Sequence, residues 1–273
     1  MDARSIAATA AAGGVLTAAT AEISTKPYFF DSSAYAARGC DRAGNPEEGA
    51  ELVFGPNITD WPVLPELPEN IALEFASAIF DPVTTTDELI PSGETSSFRS
   101  NPLRLAEFAL SRKDPAYVGR AKAIAAKSAA EVLAKYGIED DSCGLASAVF
   151  ALKPGDGSAR EQAASCQRVL GGGANVAAEY ATKRYRSNLI NWGMLPLRLT
   201  DPADAADFAV GRCLYIRGIR EMILSGAKEI PALLLGEGFR KELTLTVDGI
   251  TDEEKDIILA GSLIGYYRKR LKG

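Results

Sequence analysis

The sequence predicts an α/β domain that is preceded by a helix and by an extended segment rich in proline and glycine. Three observations support this fold class. Apolar runs of strand length alternate with segments of helical periodicity after residue 70. Hydrophobic residues make up 47% and charged residues 24% of the 273 residues, which is typical of a globular protein. Prolines are crowded between residues 26 and 69, where they oppose regular structure.

The amino-terminal part of the chain predicts a helix followed by a linker. Residues 3–21 are rich in alanine and other small residues, with a break at Gly13-Gly14. Residues 26–69 contain the stretches KPYFF, RAGNPEEG and FGPNITDWPVLPELP. Each proline removes a backbone donor and biases the preceding residue to extended geometry, so we expect an extended arm with a few short strands. The main domain then occupies residues 70–273.

From residue 70 onward, hydrophobic periodicity and turn residues define the order of the elements. We predict helices over Asn70–Ile79, Pro102–Ser111, Tyr117–Tyr136, Ser158 to the glycines at 171–173, Lys183–Trp192 and Asp252–Leu271. We predict strands over Ala146–Leu152, Asn175–Glu179, Met194–Leu199 and Leu243–Val247. The loop DPVTTTDELIPSGETSSFRSNP and the turn KPGDG connect these elements.

Charge and hydropathy argue against several classes of partner. The net charge is −6, whereas nonspecific binding to nucleic acid or to an anionic membrane rewards a basic surface. A small anionic substrate held by a few local arginines is compatible with this charge. No apolar run has the length that spans a bilayer, and the start of the chain lacks the continuous apolar core of a signal peptide. We therefore expect a soluble, cytoplasmic protein.

The histidine and cysteine content limits the chemistry that the chain can perform alone. There is no histidine, so acid–base chemistry must use Ser, Lys, Tyr or carboxylates unless a second chain brings histidines. The four cysteines form no C-x-x-C pair, which fits a reducing compartment and offers no recognisable framework for a cluster or zinc. These cysteines are Cys40, Cys143, Cys166 and Cys213.

The strongest local signal is GDGSARE, residues 155–161, between a predicted strand and a predicted helix. A glycine-rich turn before a helix presents unpaired N–H groups, with the positive end of the helix dipole behind them. Arg160 adds a planar cation suited to a carboxylate, and in that setting Ser158 is able to accept a carbon-bound proton. The structural interpretation is that Ser158 and Glu161 form an S-x-x-E capping box. The two roles are compatible.

Two further segments have structural interpretations when each is taken alone. Residues 84–99, TTTDELIPSGETSSFR, predict a hydroxyl-rich loop with a buried-looking Asp87 and with Arg99 after a glycine-containing turn. Residues 185–197, YRSNLINWGMLPL, predict a short helix with a glycine stop that leads into a strand.

Together these three segments resemble the aconitase family. The swivel domain of that family carries T-T-D-H-I-x-P-A-G, then G-E-G-S-S-R-E-H, then R-I-H-x-[ST]-N-L-x-x-x-G-[LVM]-L-P-L. This sequence has TTDELIPSG at 85–93, GDGSAREQ at 155–162 and RYRSNLINWGMLPL at 184–197, in the same order. Arg99 also falls a dozen residues beyond Asp87, where the family places a substrate arginine. Three spaced motifs in one order are more specific than any of them alone.

The resemblance implies a three-layer β/β/α swivel domain over residues 70–273, with a mixed sheet or a small barrel. It implies that residues 1–25 are the terminal helix of a preceding domain, missing from this sequence, and that 26–69 are the linker arm. For the site, it implies that Ser158 is the catalytic base and that Arg160 and Arg99 bind substrate carboxylates. Asp87 matches the motif aspartate at the edge of the site and is expected to take part in substrate binding.

The function implied by the resemblance is reversible dehydration of a hydroxy di- or tricarboxylic acid. The family uses a 4Fe–4S cluster on three cysteines as its Lewis acid, so we expect that cluster in the complete enzyme, bound by residues outside this chain. The expected partners are the cluster-bearing aconitase domains 1–3, upstream in the same polypeptide or in a separate large subunit as in isopropylmalate dehydratase. A small polycarboxylate is the expected substrate, and the chain alone is expected to be inactive.

Three positions depart from the family pattern. Ala159 replaces a serine and removes a hydrogen-bond donor, while Glu88 and Tyr185 replace histidines. An acidic Glu88 near the site would repel a tricarboxylate or accept a hydrogen bond from a different substrate, which argues against citrate–isocitrate isomerisation. The alternative function is a noncatalytic swivel module that binds small carboxylates or a protein partner. RNA binding, which some aconitases show, is disfavoured by the acidic balance.

Overall fold

The computed structural model describes residues 1–20, 27, 29–36, 44–45, 47–247 and 249–272. The chain divides into two units, Met1–Val53 and Phe54–Gly273, so the second unit begins inside the predicted linker. Parts of that linker, with Cys40 among them, and the last residue of the predicted first helix lie outside the described residues. Among the described residues, no helix combines the length and the hydropathy needed to cross a bilayer.

The first unit contains two short helices, α1 (Ala3–Ala11) and α2 (Ser33–Ala36). The Asp2 carboxylate caps α1 by accepting from the Ser5 N–H at 2.9 Å. The helix ends where Gly13 and Gly14 adopt positive φ angles of 68° and 91°. The break predicted at Gly13-Gly14 is present, but the expected continuation of the helix is wrong for the described residues 15–20, which are not helical. The described residues between 26 and 69 contain no strand, contrary to the expected short strands.

The second unit is built on a closed seven-stranded barrel in the order β1-β3-β5-β6-β9-β8-β7. Strands β1, β3, β5 and β6 pair in parallel, and the remaining pairs are antiparallel. The barrel strands are β1 (Asn70–Ile79), β3 (Cys143–Ala151), β5 (Gly172–Ala177), β6 (Leu195–Leu199), β7 (Cys213–Ile216), β8 (Glu229–Gly236) and β9 (Phe239–Thr246). A separate pair is formed by β2 (Thr84–Thr85) and β4 (Pro154–Asp156). The predicted α/β class with a small mixed barrel is confirmed.

Nine further helices accompany the barrel in the described part of the second unit. They are α3 (Thr86–Leu89), α4 (Pro102–Ala106), α5 (Tyr117–Ala125), α6 (Ala129–Ala134), α7 (Arg160–Val169), α8 (Lys183–Asn191), α9 (Ile219–Ser225), α10 (Asp252–Leu259) and α11 (Leu263–Lys272), with 3₁₀ turns at Ser96–Phe98 and Pro202–Asp207. The predicted helix 117–136 is split at Ser128, which is extended and caps α6. The predicted helix 252–271 is split near Gly261, which has a φ of +79°.

The segment Asn70–Ile79 is strand β1, so the predicted helix there is wrong. Seven of the ten residues of NIALEFASAI are apolar, and such a run does not distinguish a buried strand from a buried helix. β1 pairs with β3 on one side and β7 on the other. Phe75 packs in the barrel core, whereas Ala76 packs with the helices. Burial on both faces removes the alternation of polar residues that would have marked a strand.

Two hydrophobic cores lie on the two sides of the parallel strands. Inside the barrel, Phe150 stacks on Phe208 with ring centroids 4.5 Å apart, and Phe75 meets Phe208 edge-on at 5.2 Å. On the outer side, residues of β1 and β3 pack with α4, α5, α7 and α8 around the fully buried Tyr117 and Tyr185. This second core fixes α7 and α8, which adjoin the second and third sequence motifs, onto the barrel.

Candidate active site

Pairing of β2 with β4 brings the first two sequence motifs together. Thr84 lies opposite Pro154 and Thr85 opposite Asp156, in a parallel pair. Immediately after this pair, the Ala159 N–H donates to Thr86 Oγ1 at 3.2 Å. The loop that contains Ser158 is therefore attached to the segment that contains Asp87, although more than seventy residues separate them in the chain.

Two glycines of the Ser158 loop pack so closely against neighbouring side chains that no larger residue fits. Gly157 has a φ of +125°, and a Cβ there would lie 2.3 Å from Thr86 Oγ1. Gly155 has a φ of +98°, and a Cβ there would lie 2.4 Å from the Tyr185 ring. Backbone conformation and close approach both require glycine. Because Tyr185 belongs to the third motif, all three motifs meet under this loop.

Tyr185 supports the loop from the buried side. Its hydroxyl accepts hydrogen bonds from Gln167 Nε2 at 3.1 Å and from Asn175 Nδ2 at 2.7 Å. Burial raises the pKa of Tyr185 well above the usual range, so the phenol stays protonated. The tyrosine that replaces a family histidine is thus a buried structural residue and takes no proton at neutral pH.

A depression of about 260 Å³ opens at the Ser158 loop. Its walls are formed by Ser92, Arg99, Ser158, Ala159, Glu161 and Gln162. The structure thus places Ser158 and Arg99, which the sequence separates widely, around one space. Arg160 is half-buried at the first position of α7 and is not among the lining residues. Neither Arg99 nor Arg160 forms an ion pair with an acidic side chain within the described ranges.

The predicted capping box of Ser158 and Glu161 is wrong. The residue before α7 is Ala159, and no side chain caps the helix. Glu161 Oε1 instead accepts from Trp192 Nε1 at 3.0 Å, and the Trp192 ring packs on Trp61 with centroids 4.4 Å apart. The amino end of α7 therefore keeps backbone donors and a positive dipole end without a side-chain cap, beside the depression.

Glu161 is the acidic group in the wall of the depression. Partial burial raises the pKa of its carboxyl above the ordinary value, and the hydrogen bond from Trp192 opposes that rise. The residue as a whole is still exposed to solvent. A carboxyl with a raised pKa is more readily neutral when an anion approaches, which lessens its repulsion of a carboxylate.

The carboxylates of Asp87 and Glu88 both form ion pairs or hydrogen bonds with neighbouring residues outside the depression. Asp87 is exposed, contrary to its buried-looking context in the sequence, and pairs with Arg112. Glu88 Oε2 accepts from the Thr85 N–H at 2.7 Å in a capping box, and this bond holds the pKa of Glu88 below its usual value. Glu88 Oε1 also faces Lys113 at 3.2 Å. Neither carboxylate is among the lining residues, because α3 turns both toward these cations.

Some residues of the site were missed by sequence reasoning. Thr86 holds the Ser158 loop, and Trp192 holds Glu161. Ser92 and Gln162 add polar wall atoms. Thr86 lies in the first motif and Trp192 in the third, and both motifs were identified from the sequence. Only the fold shows that Thr86 reaches the Ser158 loop and that Trp192 reaches the amino end of α7.

The described cysteines do not fit a 4Fe–4S cluster. Cys143 lies on β3, Cys166 on α7 and Cys213 on β7, and the described ranges contain no group of three metal-ligating side chains. Cluster ligation needs thiolates. Burial raises the pKa of Cys143 and of Cys213 to about 12, and raises the pKa of Cys166 further, so all three are held as thiols.

Comparison with known proteins supports the motif assignment. Residues 146–202 match the family model described as the aconitase C-terminal domain, a segment that includes the Ser158 loop and the third motif. Proteins of Emericella nidulans and Aspergillus fumigatus with the provisional name aconitate hydratase, mitochondrial, are 31% and 32% identical over 117 residues. That alignment covers 42% of this chain but only 15% and 14% of the relatives, so the chain spans a small part of their length.

A solved structure is also similar in outline. The crystal structure of 3-isopropylmalate dehydratase from Methanocaldococcus jannaschii has a TM-score of 0.48 and 21% identity, over 74% of this chain and 96% of that chain. The similarity to the aconitase C-terminal domain thus covers residues 146–202, which include the second and third motifs.

Proposed function

We propose that this chain supplies the carboxylate-binding and proton-accepting side of a hydro-lyase active site. The substrate class is a hydroxy di- or tricarboxylic acid, which is reversibly dehydrated. The observation that carries the proposal is the depression in which Ser158 and Arg99 lie beside the uncapped amino end of α7. A serine, an arginine and a helix end around one space suit an anionic substrate whose carbon-bound proton must be removed.

Carboxylate binding is assigned to Arg99 and to the amino end of α7. Arg99 has a planar fork that suits a carboxylate and lines the depression without an acidic partner among the described side chains. The first-turn N–H groups of α7 lack a side-chain cap, and the dipole favours negative charge there. Arg160, at the first position of the helix, adds positive charge behind the same loop. Asp87 pairs with Arg112 and is not among the residues that line the depression, so its expected part in substrate binding would be at the edge of the site.

Proton transfer is assigned to Ser158. Its hydroxyl lies in the wall of the depression, at the end of a loop fixed by Gly155 and Gly157. Positive charge from Arg160 and the helix end would stabilise Ser158 as an alkoxide after its hydroxyl proton has passed to solvent. The alkoxide then accepts the carbon-bound proton and becomes a hydroxyl again. Ser158 is exposed in this chain, so a second domain must cover the depression to exclude bulk water.

The partner in this proposal is a set of cluster-bearing domains, in the same polypeptide or in a separate large subunit. In an aconitase-like enzyme a 4Fe–4S cluster supplies the Lewis acid for the leaving hydroxyl. The described cysteines do not fit that cluster, so the partner would bring it. Immunoblotting and intact mass spectrometry of the native gene product distinguish the two arrangements. A product much heavier than 28.9 kDa indicates one polypeptide, and a product of 28.9 kDa indicates a separate subunit.

The decisive test is Ser158→Ala in the assembly of this chain with its cluster-bearing domains, prepared without oxygen. We expect turnover to fall by about 10²–10⁴-fold while substrate affinity changes little, because a general base is lost and the carboxylate sites remain. Ser97→Ala, at an exposed position outside the depression, is the matched control. Full turnover in Ser158→Ala would contradict the assigned role. Carboxylate binding without any turnover in the unmodified assembly would favour the noncatalytic module.

A further inference from the structure

A second cavity lies at the opposite end of α7 from the Ser158 depression. Its volume is about 140 Å³. The walls are mostly apolar and come from Pro65, Leu67, Pro68, Ile71, Leu145 and Ala146, with Arg168, Glu66 and three glycines completing them. A drug-sized ligand needs roughly 300 Å³ or more, so this cavity accommodates only a molecule of a few heavy atoms.

Arg168 is the buried cation of this cavity. It lies in the last turn of α7 and is only 7% exposed. Its Nη1 donates to Gly172 O at 3.1 Å, and its Nη2 donates to Pro65 O at 2.5 Å and to Gly261 O at 3.1 Å. Its Nε has no hydrogen-bond partner among the described residues. The guanidinium therefore joins three backbone segments and retains a buried donor.

The charge of Arg168 has no acidic counterpart in the described part of the chain. Every acceptor that it reaches is a neutral carbonyl, and burial alone lowers the pKa of the guanidinium to about 10. Glu66 also lines the cavity, but it is half exposed and pairs with Lys269 at 2.7 Å. Carbonyl dipoles and the carboxyl end of α7 offset part of the charge but bring no formal negative charge. A buried cation is strongly favoured by a counter-ion within reach.

We infer that this cavity is a binding site for a small aliphatic monocarboxylate, distinct from the Ser158 depression. The carboxylate would pair with the Arg168 guanidinium, and a short alkyl chain would contact Leu67, Ile71 and Leu145. The apolar walls favour an acid with a tail over an inorganic anion, and the volume limits the tail to a few carbons. The ligand would also fix the segment at Pro65 and the turn at Gly261, because Arg168 binds both.

The test is titration of the full chain with ¹³C-labelled propionate, in a constant sodium chloride background, followed by NMR. We expect saturable binding with a Kd on the order of 1 mM. Arg168→Met should weaken it at least tenfold, roughly the loss of one charged hydrogen bond. Ala146→Leu fills the cavity and retains Arg168, so it should abolish binding even if Arg168→Met fails to fold. Arg217→Gln, which lies outside both this cavity and the Ser158 depression, should leave propionate binding unchanged.

Three outcomes would overturn the inference. Propionamide has the same shape without the charge, so equal binding of propionamide would remove the role of Arg168. Displacement of propionate by an equal concentration of chloride would assign the cavity to a simple halide. Unchanged binding in a folded Ala146→Leu variant, or no saturable binding by the unmodified chain, would show that the cavity does not hold a carboxylate.

Discussion

The two ends of helix α7 carry arginines eight residues apart in very different surroundings. At the amino end, Arg160 is half-buried, and the exposed Ser158 and Arg99 share an open depression. At the carboxyl end, Arg168 is buried and is hydrogen-bonded to three carbonyls. The contrast separates two uses of the same side chain. A solvated guanidinium is ready to exchange ligands, whereas a buried one fixes the backbone around it.

The largest expected effect is on stability at the carboxyl end. Arg168→Met leaves three carbonyls without their donor, two of them in buried hydrogen bonds, so we expect the free energy of unfolding to fall by about 3 kcal/mol. Arg160→Met should change it by no more than about 0.5 kcal/mol, since a cation at the amino end of a helix is not favoured by the dipole. Urea unfolding of both variants measures the difference. Equal losses would show that the two ends do not differ as described.

The amino end should be sensitive to its backbone more than to its charges. Gly157→Ala forces a Cβ against Thr86 Oγ1 at a φ of +125°, so we expect a loss of about 2 kcal/mol in unfolding free energy. The loop carrying Ser158 should move as well and lose citrate binding. Gly93→Ala is the control, because a Cβ there meets nothing within 4 Å and the φ is not positive. Thermal and urea unfolding measure both variants. An equal loss of stability in Gly93→Ala and Gly157→Ala would contradict the close approach of Gly157 to Thr86.

Carboxylate recognition at the amino end should depend on the shape of the cation. Arg99→Lys keeps the charge but replaces a planar fork with a point charge, so we expect citrate to bind about tenfold more weakly. Calorimetric titration measures this, with Arg217→Lys, outside the depression, as the control. Unchanged citrate affinity in Arg99→Lys would remove Arg99 from the binding site.

The smallest effect should come from Glu161 in the first turn of α7. Its raised pKa means that the folded chain holds the proton more tightly than the unfolded chain does. The resulting stability is present below the ordinary pKa of 4.5 and is lost as the pH rises through the folded value. Stability of the unmodified chain relative to Glu161→Gln should thus fall as the pH rises above 4.5. We expect a few tenths of a kcal/mol by urea unfolding, because solvent screens this exposed group. If the stability of the unmodified chain relative to Glu161→Gln instead rose with pH, the pKa of Glu161 would be lowered by folding, contrary to this prediction.

Sequence reasoning located the loop at the amino end of α7 better than the strands around it. The glycines and Ser158 of GDGSARE, with Arg99 and the order of the motifs, predicted which segments meet, because turn chemistry and family motifs are local signals. The strand at Asn70–Ile79 was mistaken for a helix since burial on both faces erases the strand pattern. Strands β7 and β8 and helix α9 were not predicted at all. Those elements depend on pairing and packing with segments far away in the chain, which a local sequence pattern does not show.

Side-chain partners at the site were also beyond sequence reasoning. The S-x-x-E pattern at Ser158 is typical of a capping box. In the structure, however, Glu161 accepts a hydrogen bond from Trp192, and the Ala159 N–H donates to Thr86. The sequence context of Asp87 predicted a buried side chain, but Asp87 is exposed and forms an ion pair with Arg112. Each of these outcomes depends on a residue brought close by the fold.

The closed order of the barrel has a consequence for association. Each of its seven strands already has a neighbour on both sides, so the barrel offers no unpaired strand to another polypeptide. Assembly by strand addition at the barrel is thereby excluded, and a partner that binds the barrel would have to recognise side chains and loops. Such recognition is tunable residue by residue. Closure also removes the edges at which the barrels of two chains would stack into fibrils.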